Sequence, residues 1–152
     1  MKLTFALLLV TTTALADPLP NLTLTPGVAR SDLTTAQVCM TKWGKDTRAV
    51  TEAMKQQVFK FYGFSILNHD PRCPCEIDHL ISRELGGADD VRNLWPQSYS
   101  GPWNAHMKDR LENRLHKEVC EGKLPLAAAQ QSIVADWTSL WKIYFGGAGV
   151  AK

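Results

Sequence analysis

The stretch that decides the fold runs from residue 76 to residue 87 and reads EIDHLISRELGG; residues 93–97 continue it with NLWPQ. A strand is predicted over residues 76–81, and a second over residues 91–95 that ends at Pro96. Between them, residues 86–90 read GGADD, a turn-forming composition. The sequence therefore predicts one small hairpin.

Helical patterns lie on both sides of this hairpin. Apolar residues at three- and four-residue steps predict a helix over residues 51–62, with Thr51 as N-cap and Gly63 as its stop. A second apolar repeat begins at Trp103 and a third covers residues 126–145. The predicted fold class is therefore α+β and mostly helical.

The start of the chain has the pattern of an export signal. Lys2 precedes an apolar run at residues 3–10, and Ala14-Leu15-Ala16 offers a small-x-small cleavage site; a buried core helix is the alternative. We expect a periplasmic or secreted protein with no membrane segment after cleavage. The predicted organisation is a signal peptide at 1–16, an extended N-terminal arm at 17–50, a main domain at 51–145 and a flexible tail at 146–152.

Charge and cysteine content narrow the function classes. A formal net charge of +2 is too low for a protein that binds nucleic acid through its overall positive charge alone. In an exported chain, Cys39, Cys73, Cys75 and Cys120 are expected to form disulfides. Cys73 and Cys75 are too close in sequence to bond to each other without strain, so we expect them to pair with the other two, in either order. A four-cysteine zinc site is the alternative, although the C-x-C spacing fits zinc poorly.

Asp78 and His79 are the first candidate site residues. A carboxylate supplies a hard oxygen ligand for a divalent cation, and an imidazole is a base that titrates near neutral pH. Neighbours on a strand point to opposite faces, so both can serve one site only where the strand bends or ends. Gly86-Gly87 permits a tight loop that Asn93 can tie to backbone groups. The alternatives are a structural Asp-His pair and an ordinary turn.

The start of the predicted third helix offers two more candidates. If Met107 and Leu111 face inward, a 100° step places Asn104 within about 20° of Leu111, on the same face as Lys108, and His106 on the far side. This count requires a helix that has begun by residue 104. Asn104 is therefore preferred, and His106 is the alternative.

Taken in order, these elements resemble the His-Asn-His (HNH) endonuclease family, whose core is a ββα-metal motif. The resemblance rests on Asp78-His79, the Gly-Gly loop, Asn93-Leu94 and the Asn/His-rich helix start, and it covers about residues 73–120. The segment from Asn93 to the helix is longer than in the compact family pattern. The C-x2-C zinc pairs that some members carry are absent.

The resemblance implies a metal-dependent endonuclease acting on DNA, with RNA as a second candidate substrate. It implies His79 as general base, Asn93 as the residue that aligns the loop, and Asp78 with Asn104 or His106 as ligands of one divalent ion. Mg²⁺ is the expected metal, with Mn²⁺, Zn²⁺ or Ni²⁺ as alternatives. Candidates for phosphate contacts are Arg83, Lys108 and Arg110. Two other functions remain open: an inactive module that binds nucleic acid or protein on the same fold, and a disulfide-stapled interaction domain.

Overall fold

The computed structural model of the protein describes residues 18–64 and 73–146. The predicted signal peptide and nearly all of the predicted tail lie outside these ranges. The described residues form an α+β fold with four α-helices and one two-stranded antiparallel sheet. This confirms the predicted α+β class, although about half of the protein is helical and not most of it. In chain order the elements are α1 Thr35–Met40, α2 Glu52–Phe61, β1 Cys75–His79, β2 Leu94–Ser98, α3 Ala105–Cys120 and α4 Leu126–Phe145. None of these helices combines the length and the apolar character that crossing a bilayer requires.

The hairpin forms with shifted strand ends. Strand β1 stops at His79, and β2 begins only at Leu94 because Val91–Asn93 make a 3₁₀ turn that Asp90 caps. The expectation that Pro96 ends the second strand is wrong, since Pro96 pairs with Ile77 inside the sheet. Both strands of a two-stranded sheet are edge strands, where a residue without an N–H is tolerated.

Residues 18–50, the described part of the predicted arm at 17–50, are more than the extended arm expected from their prolines. A reciprocal capping box between Thr34 and Gln37 starts helix α1 within this segment. Further upstream, the buried Thr25 hydroxyl donates to the Leu94 carbonyl at 2.9 Å, and Ala29 bridges to Gly87. The segment therefore packs along the hairpin and its loop.

Two apolar clusters hold the fold together. The larger lies between α3 and α4, where Leu111, Leu115, Ile133 and Trp137 are fully buried. The smaller packs Val58 of α2 against the hairpin. Met107 and Leu111 are buried, which confirms the prediction that this face of α3 points inward. The same orientation determines which side of the first turn of α3 lies toward the sheet.

Helix α4 changes direction at Asp136, whose φ of −169° and ψ of 95° are not helical. Its carboxylate accepts hydrogen bonds from the backbone N–H groups of Thr138 and Ser139, at 2.9 and 3.0 Å, and from both of their hydroxyls. Asp136 thus acts as an N-cap for the second half of the helix.

The four cysteines form two disulfides, Cys39 with Cys120 and Cys73 with Cys75. The expectation that Cys73 and Cys75 pair with the other two is wrong. A backbone hydrogen bond from Cys75 N–H to Cys73 C=O turns the chain and brings their Cα atoms to 5.0 Å. Helix α1 packs on α3, which places Cys39 and Cys120 with their Cα atoms 5.5 Å apart.

Candidate active site at the end of strand β1

Asp78 and His79 point to opposite sides of the hairpin. The Asp78 carboxylate turns to α3, where Lys108 Nζ donates to its Oδ2 at 2.7 Å. The His79 imidazole turns to the loop after β1, where its Nε2 lies 2.7 Å from Asp89 Oδ1. His79 is the last residue of β1, so both groups lie at the point where the strand ends.

The His79–Asp89 pair is nearly enclosed, and the His79 residue is only 4% exposed. Burial lowers the pKa of His79 below its usual 6.5, so the ring is neutral at pH 7. For Asp89, burial favours a higher pKa, but hydrogen bonds from Ala49 N–H and His79 outweigh it and hold the pKa below its usual value. Asp89 is therefore an ionised acceptor, and Nε2 must carry the hydrogen.

Asp89 lies in the turn-forming stretch 86–90, and the sequence gives no sign that it pairs with His79. The two residues are ten apart, and nothing local in the sequence marks the contact. The sequence shows only that the loop after β1 contains a carboxylate, Asp89, that can reach His79.

Asn93 fixes the loop that carries Asp89. Its fully buried amide accepts from Ile81 N–H at 2.9 Å and donates to the carbonyls of Ile81 and Ala88, both at 3.0 Å. Gly87 passes so close that a Cβ there would overlap the Ile81 carbonyl oxygen. Both features hold the two ends of the loop against each other, as expected for Asn93 and the glycine pair.

Lys108 is fully buried beneath the Asp78 side of the hairpin. Its ammonium donates to Asp78, to the His79 carbonyl at 2.6 Å, and to Glu112 one turn along α3. Burial alone would lower the pKa of Lys108, but the carboxylates of Asp78 and Glu112 outweigh it and raise the pKa, so the group stays charged. An enclosed ammonium with three acceptors is a structural cation, and it is not placed to contact a phosphate.

Further carboxylates crowd the same side. Burial raises the pKa of Glu84 to about 7, with Asp109 adding to the effect. Burial also raises the pKa values of Glu76 and Asp109, and Asp78 adds to both. With Asp78 and Glu112, which bind the Lys108 ammonium, this side of the hairpin holds five carboxyl groups. Their oxygen atoms are the kind of donor that hard divalent cations prefer.

The two candidates at the start of α3 are placed differently from the expectation. The helix begins at Ala105, so Asn104 is its N-cap and the angular count does not apply to it. Its side chain accepts from Met107 N–H at 3.2 Å and donates to the Gly101 carbonyl at 2.9 Å. The His106 side chain is 73% exposed and lies near Asp109. Within the described residues, neither side chain has Asp78 as a hydrogen-bond or ion-pair partner.

The remaining candidates for phosphate contacts are already engaged. Arg83 pairs with Asp46, donates to the Thr47 carbonyl at 3.0 Å and lies 3.6 Å from Asp89. Arg110 lies over the rings of Trp141 and Phe145, on the α4 side of α3. The structure brings Arg83 to the His79 side of the hairpin and leaves Arg110 away from it.

A separate group of possible metal ligands lies at the far end of α3. Side-chain atoms of Cys39, His116 and Cys120 lie within 4.8 Å of one another, and this group could hold a metal ion. In the structure the two sulfur atoms are bonded to each other, and His116 Nε2 lies 3.5 Å from the Cys120 sulfur.

Comparisons of the chain with models of known protein families, with curated proteins and with solved structures find no match.

Proposed function

We propose that the protein is a metal-dependent endonuclease of the HNH type, in which β1, β2 and α3 form the ββα-metal core and His79 is the general base. The substrate is DNA, with RNA as a second candidate. The observation that carries the proposal is the 2.7 Å contact between His79 Nε2 and an ionised Asp89 at the end of β1.

The pair suits proton transfer. Because Nε2–H is bound to Asp89, Nδ1 is the ring nitrogen left to accept a proton from water. The Asp89 carboxylate then stabilises the imidazolium that forms, as the buried acid does in a Ser-His-Asp triad. Water that has lost its proton to Nδ1 attacks the phosphorus atom, and the phosphodiester bond to the departing sugar oxygen breaks.

The oxygen donors on the Asp78 side support a divalent cation as the proposed metal. Five carboxyl groups lie on that side, and two of them, Asp78 and Glu112, bind the Lys108 ammonium. Asp78 has a second carboxylate oxygen beside the one bound to Lys108, and the Asn104 amide oxygen keeps one lone pair after capping Met107. We propose that Asp78 and Asn104 hold Mg²⁺, with His106 as the alternative ligand and Mn²⁺, Zn²⁺ or Ni²⁺ as alternative metals. The ion would neutralise charge on the phosphate and on the leaving oxygen.

The anchored loop supplies the alignment. Asn93 and Gly87 fix the loop against Ile81, so Asp89 holds the ring at one angle. Such positioning accounts for a large part of the rate in reactions where little covalent chemistry is left to the protein.

The test is plasmid cleavage by the purified protein. We expect supercoiled DNA to be nicked with Mg²⁺ and left intact with EDTA. His79→Ala should lower the rate by roughly 10²- to 10⁴-fold, while Asn113→Ala at an exposed position of α3 should leave it unchanged. Cleavage that persists in EDTA, or in the His79→Ala protein, contradicts the mechanism.

One observation favours a second candidate function, a catalytically inactive module that binds nucleic acid or protein on this fold. The His79 residue is only 4% exposed, and Lys108 already occupies one oxygen of Asp78. This candidate predicts binding without cleavage under every metal condition, which the same assay distinguishes.

Export is part of the proposal. The N-terminal pattern of residues 1–16 predicts cleavage after Ala16 and a periplasmic or secreted product. N-terminal sequencing of the protein recovered outside the cytoplasm tests it: a product beginning at Asp17 supports export, and one retaining residues 1–16 opposes it.

A further inference from the structure

A cavity of about 260 Å³ opens on the His79 side of the hairpin. Its lining residues are Arg30, Trp43, Thr47, Ala49, Arg83, Gly87 and Asp89. Asp89 also binds His79 Nε2, so the cavity is one side chain away from the proposed base. Segment 30–49, which lies within the predicted N-terminal arm, supplies most of the wall.

Trp43 gives the cavity a flat aromatic surface held at a fixed angle. Its indole Nε1 donates to the Val38 carbonyl of α1 at 2.9 Å, which anchors one edge of the ring. Aromatic faces of this kind stack on nucleobases without regard to sequence. Trp43 thus belongs to the wall of the cavity.

Arg30 is the cationic group available to a ligand. Its backbone N–H donates to the Gly86 carbonyl at 2.8 Å, which ties it to the loop that carries Asp89. Its guanidinium pairs with Asp32, and the two side chains are 45% and 68% exposed. Exposed pairs of this kind contribute little to stability, so Arg30 can exchange Asp32 for a phosphate. Arg83, in contrast, is paired with Asp46. It lines the cavity but is not available to bind a phosphate.

The size of the cavity sets the kind of ligand. Pockets that enclose a whole small molecule measure roughly 300–1,000 Å³, so this one is suited to a single unit of a longer polymer. A base can lie on Trp43 only when it has left its own stack, which is easy in a single strand and costly in a duplex.

We propose that this cavity binds one nucleotide of a single-stranded nucleic acid, with its base on Trp43 and its phosphate on Arg30. The inference rests on the proposed function and sharpens it, because it makes unpaired strands the favoured substrate class of the site at His79.

The test measures binding without cleavage. Fluorescence anisotropy in EDTA compares a short dye-labelled oligodeoxythymidine with a hairpin duplex of the same length, over a salt series. The single strand should bind at least about tenfold more tightly. Trp43→Ala should weaken its binding by roughly 5- to 150-fold, the range for loss of one stacked base, and Trp43→Phe should restore most of the affinity. Arg30→Ala should weaken binding and reduce the magnitude of the salt slope by about 0.7, the value for one phosphate contact on a single strand.

Two matched controls separate the cavity from general effects. Arg92 pairs with Asp90 at the surface much as Arg30 pairs with Asp32, but it does not line the cavity; Arg92→Ala should leave affinity and salt slope nearly unchanged. Phe61 is an exposed aromatic residue of α2, and Phe61→Ala should bind as the wild type does.

The proposal is overturned if the duplex binds as tightly as the single strand, if neither oligonucleotide binds, or if Trp43→Ala and Arg30→Ala behave like their controls while circular dichroism shows them folded. Nicking of plasmid by such variants would leave the nuclease proposal standing. Conversely, strand binding that depends on Trp43, in a protein that cuts nothing, would retain the cavity and remove the nuclease.

Discussion

The two sides of the hairpin differ sharply in their chemistry, although they begin from neighbouring residues. On the Asp78 side, Asp78 and Glu112 bind one buried ammonium. Burial and neighbouring carboxylates raise the pKa values of Glu76, Glu84 and Asp109 on the same side. On the His79 side, a neutral imidazole rests on an ionised carboxylate beside a cavity with two arginines and a tryptophan. Because neighbouring residues on a strand point to opposite faces, Asp78 and His79 carry two different kinds of chemistry to the two sides of one hairpin. The proposed reaction is confined to the one point where the sides meet, the end of β1.

Breaking the Asp78 side should have the largest effect on stability. Lys108→Met leaves Asp78 and Glu112 without their buried partner, and we expect the free energy of unfolding to fall by about 3–5 kcal/mol. Urea unfolding followed by circular dichroism measures it. Lys117→Met, an exposed site on the same helix, should change little. Adding Glu112→Gln to Lys108→Met should recover part of the loss; no recovery would mean that packing, and not charge, explains it.

Disrupting the His79–Asp89 hydrogen bond should lower mainly the rate of cleavage. Asp89→Asn can turn its amide N–H toward Nε2 and impose the wrong tautomer, so we expect the cleavage rate to fall by roughly 10²- to 10³-fold, about 3–4 kcal/mol of activation free energy. Single-turnover plasmid nicking measures it. The neighbour Asp90 pairs with Arg92 at the surface, and Asp90→Asn should retain most of the activity. Equal losses in both variants would refute a specific role for Asp89.

Removing the Asn93 side chain, which anchors the loop after β1, should lower both stability and activity. Asn93→Ala leaves the Ile81 N–H without its partner and frees two carbonyls, and we expect the free energy of unfolding to fall by about 2–3 kcal/mol. Asn113→Ala, an exposed asparagine on α3, is the control. Thermal unfolding and nicking on the same samples decide the matter, since a loss of stability with undiminished nicking would show that the loop does not need this anchor.

A fourth prediction concerns Asp136 of α4, which is not part of the hairpin. Burial favours a higher pKa for Asp136, but hydrogen bonds from Ser139 and Thr138 outweigh it and hold the pKa below its usual 3.8. The stabilisation is therefore present above that value and is lost as the pH falls through the lowered pKa. We expect Asp136→Ala to reduce the free energy of unfolding by about 1 kcal/mol at pH 7 and by progressively less below pH 3.8. Urea unfolding at both ends of this range checks it, with Ser132→Ala as control.

Local sequence signals predicted the framework well. Periodicity located α2, α3 and α4, Thr51 was identified as the cap of α2, and the opposite orientation of Asp78 and His79 followed from strand alternation. These features depend on residues close in sequence, where backbone geometry leaves few choices.

The parts that could not be predicted depend on contacts between distant segments. Lys108 reaches Asp78 from thirty residues away, and its burial is visible only once α3 lies against the hairpin. The cavity depends on Arg30 and Trp43, in a segment whose prolines suggested a loose arm. Asn104 is a different case, because asparagine is a favoured N-cap and the helix start could have been placed one residue later.

The disulfide between Cys39 and Cys120 has a topological consequence for everything between them. The two cysteines are 81 residues apart, so α2, the hairpin, its loop and nearly all of α3 belong to one closed covalent ring. Closing a ring of this size stabilises a fold by about 4–5 kcal/mol through the entropy of the unfolded chain. A protease that cut one peptide bond inside the ring would open it without releasing a fragment, and both sides of the hairpin would stay tethered to the same molecule.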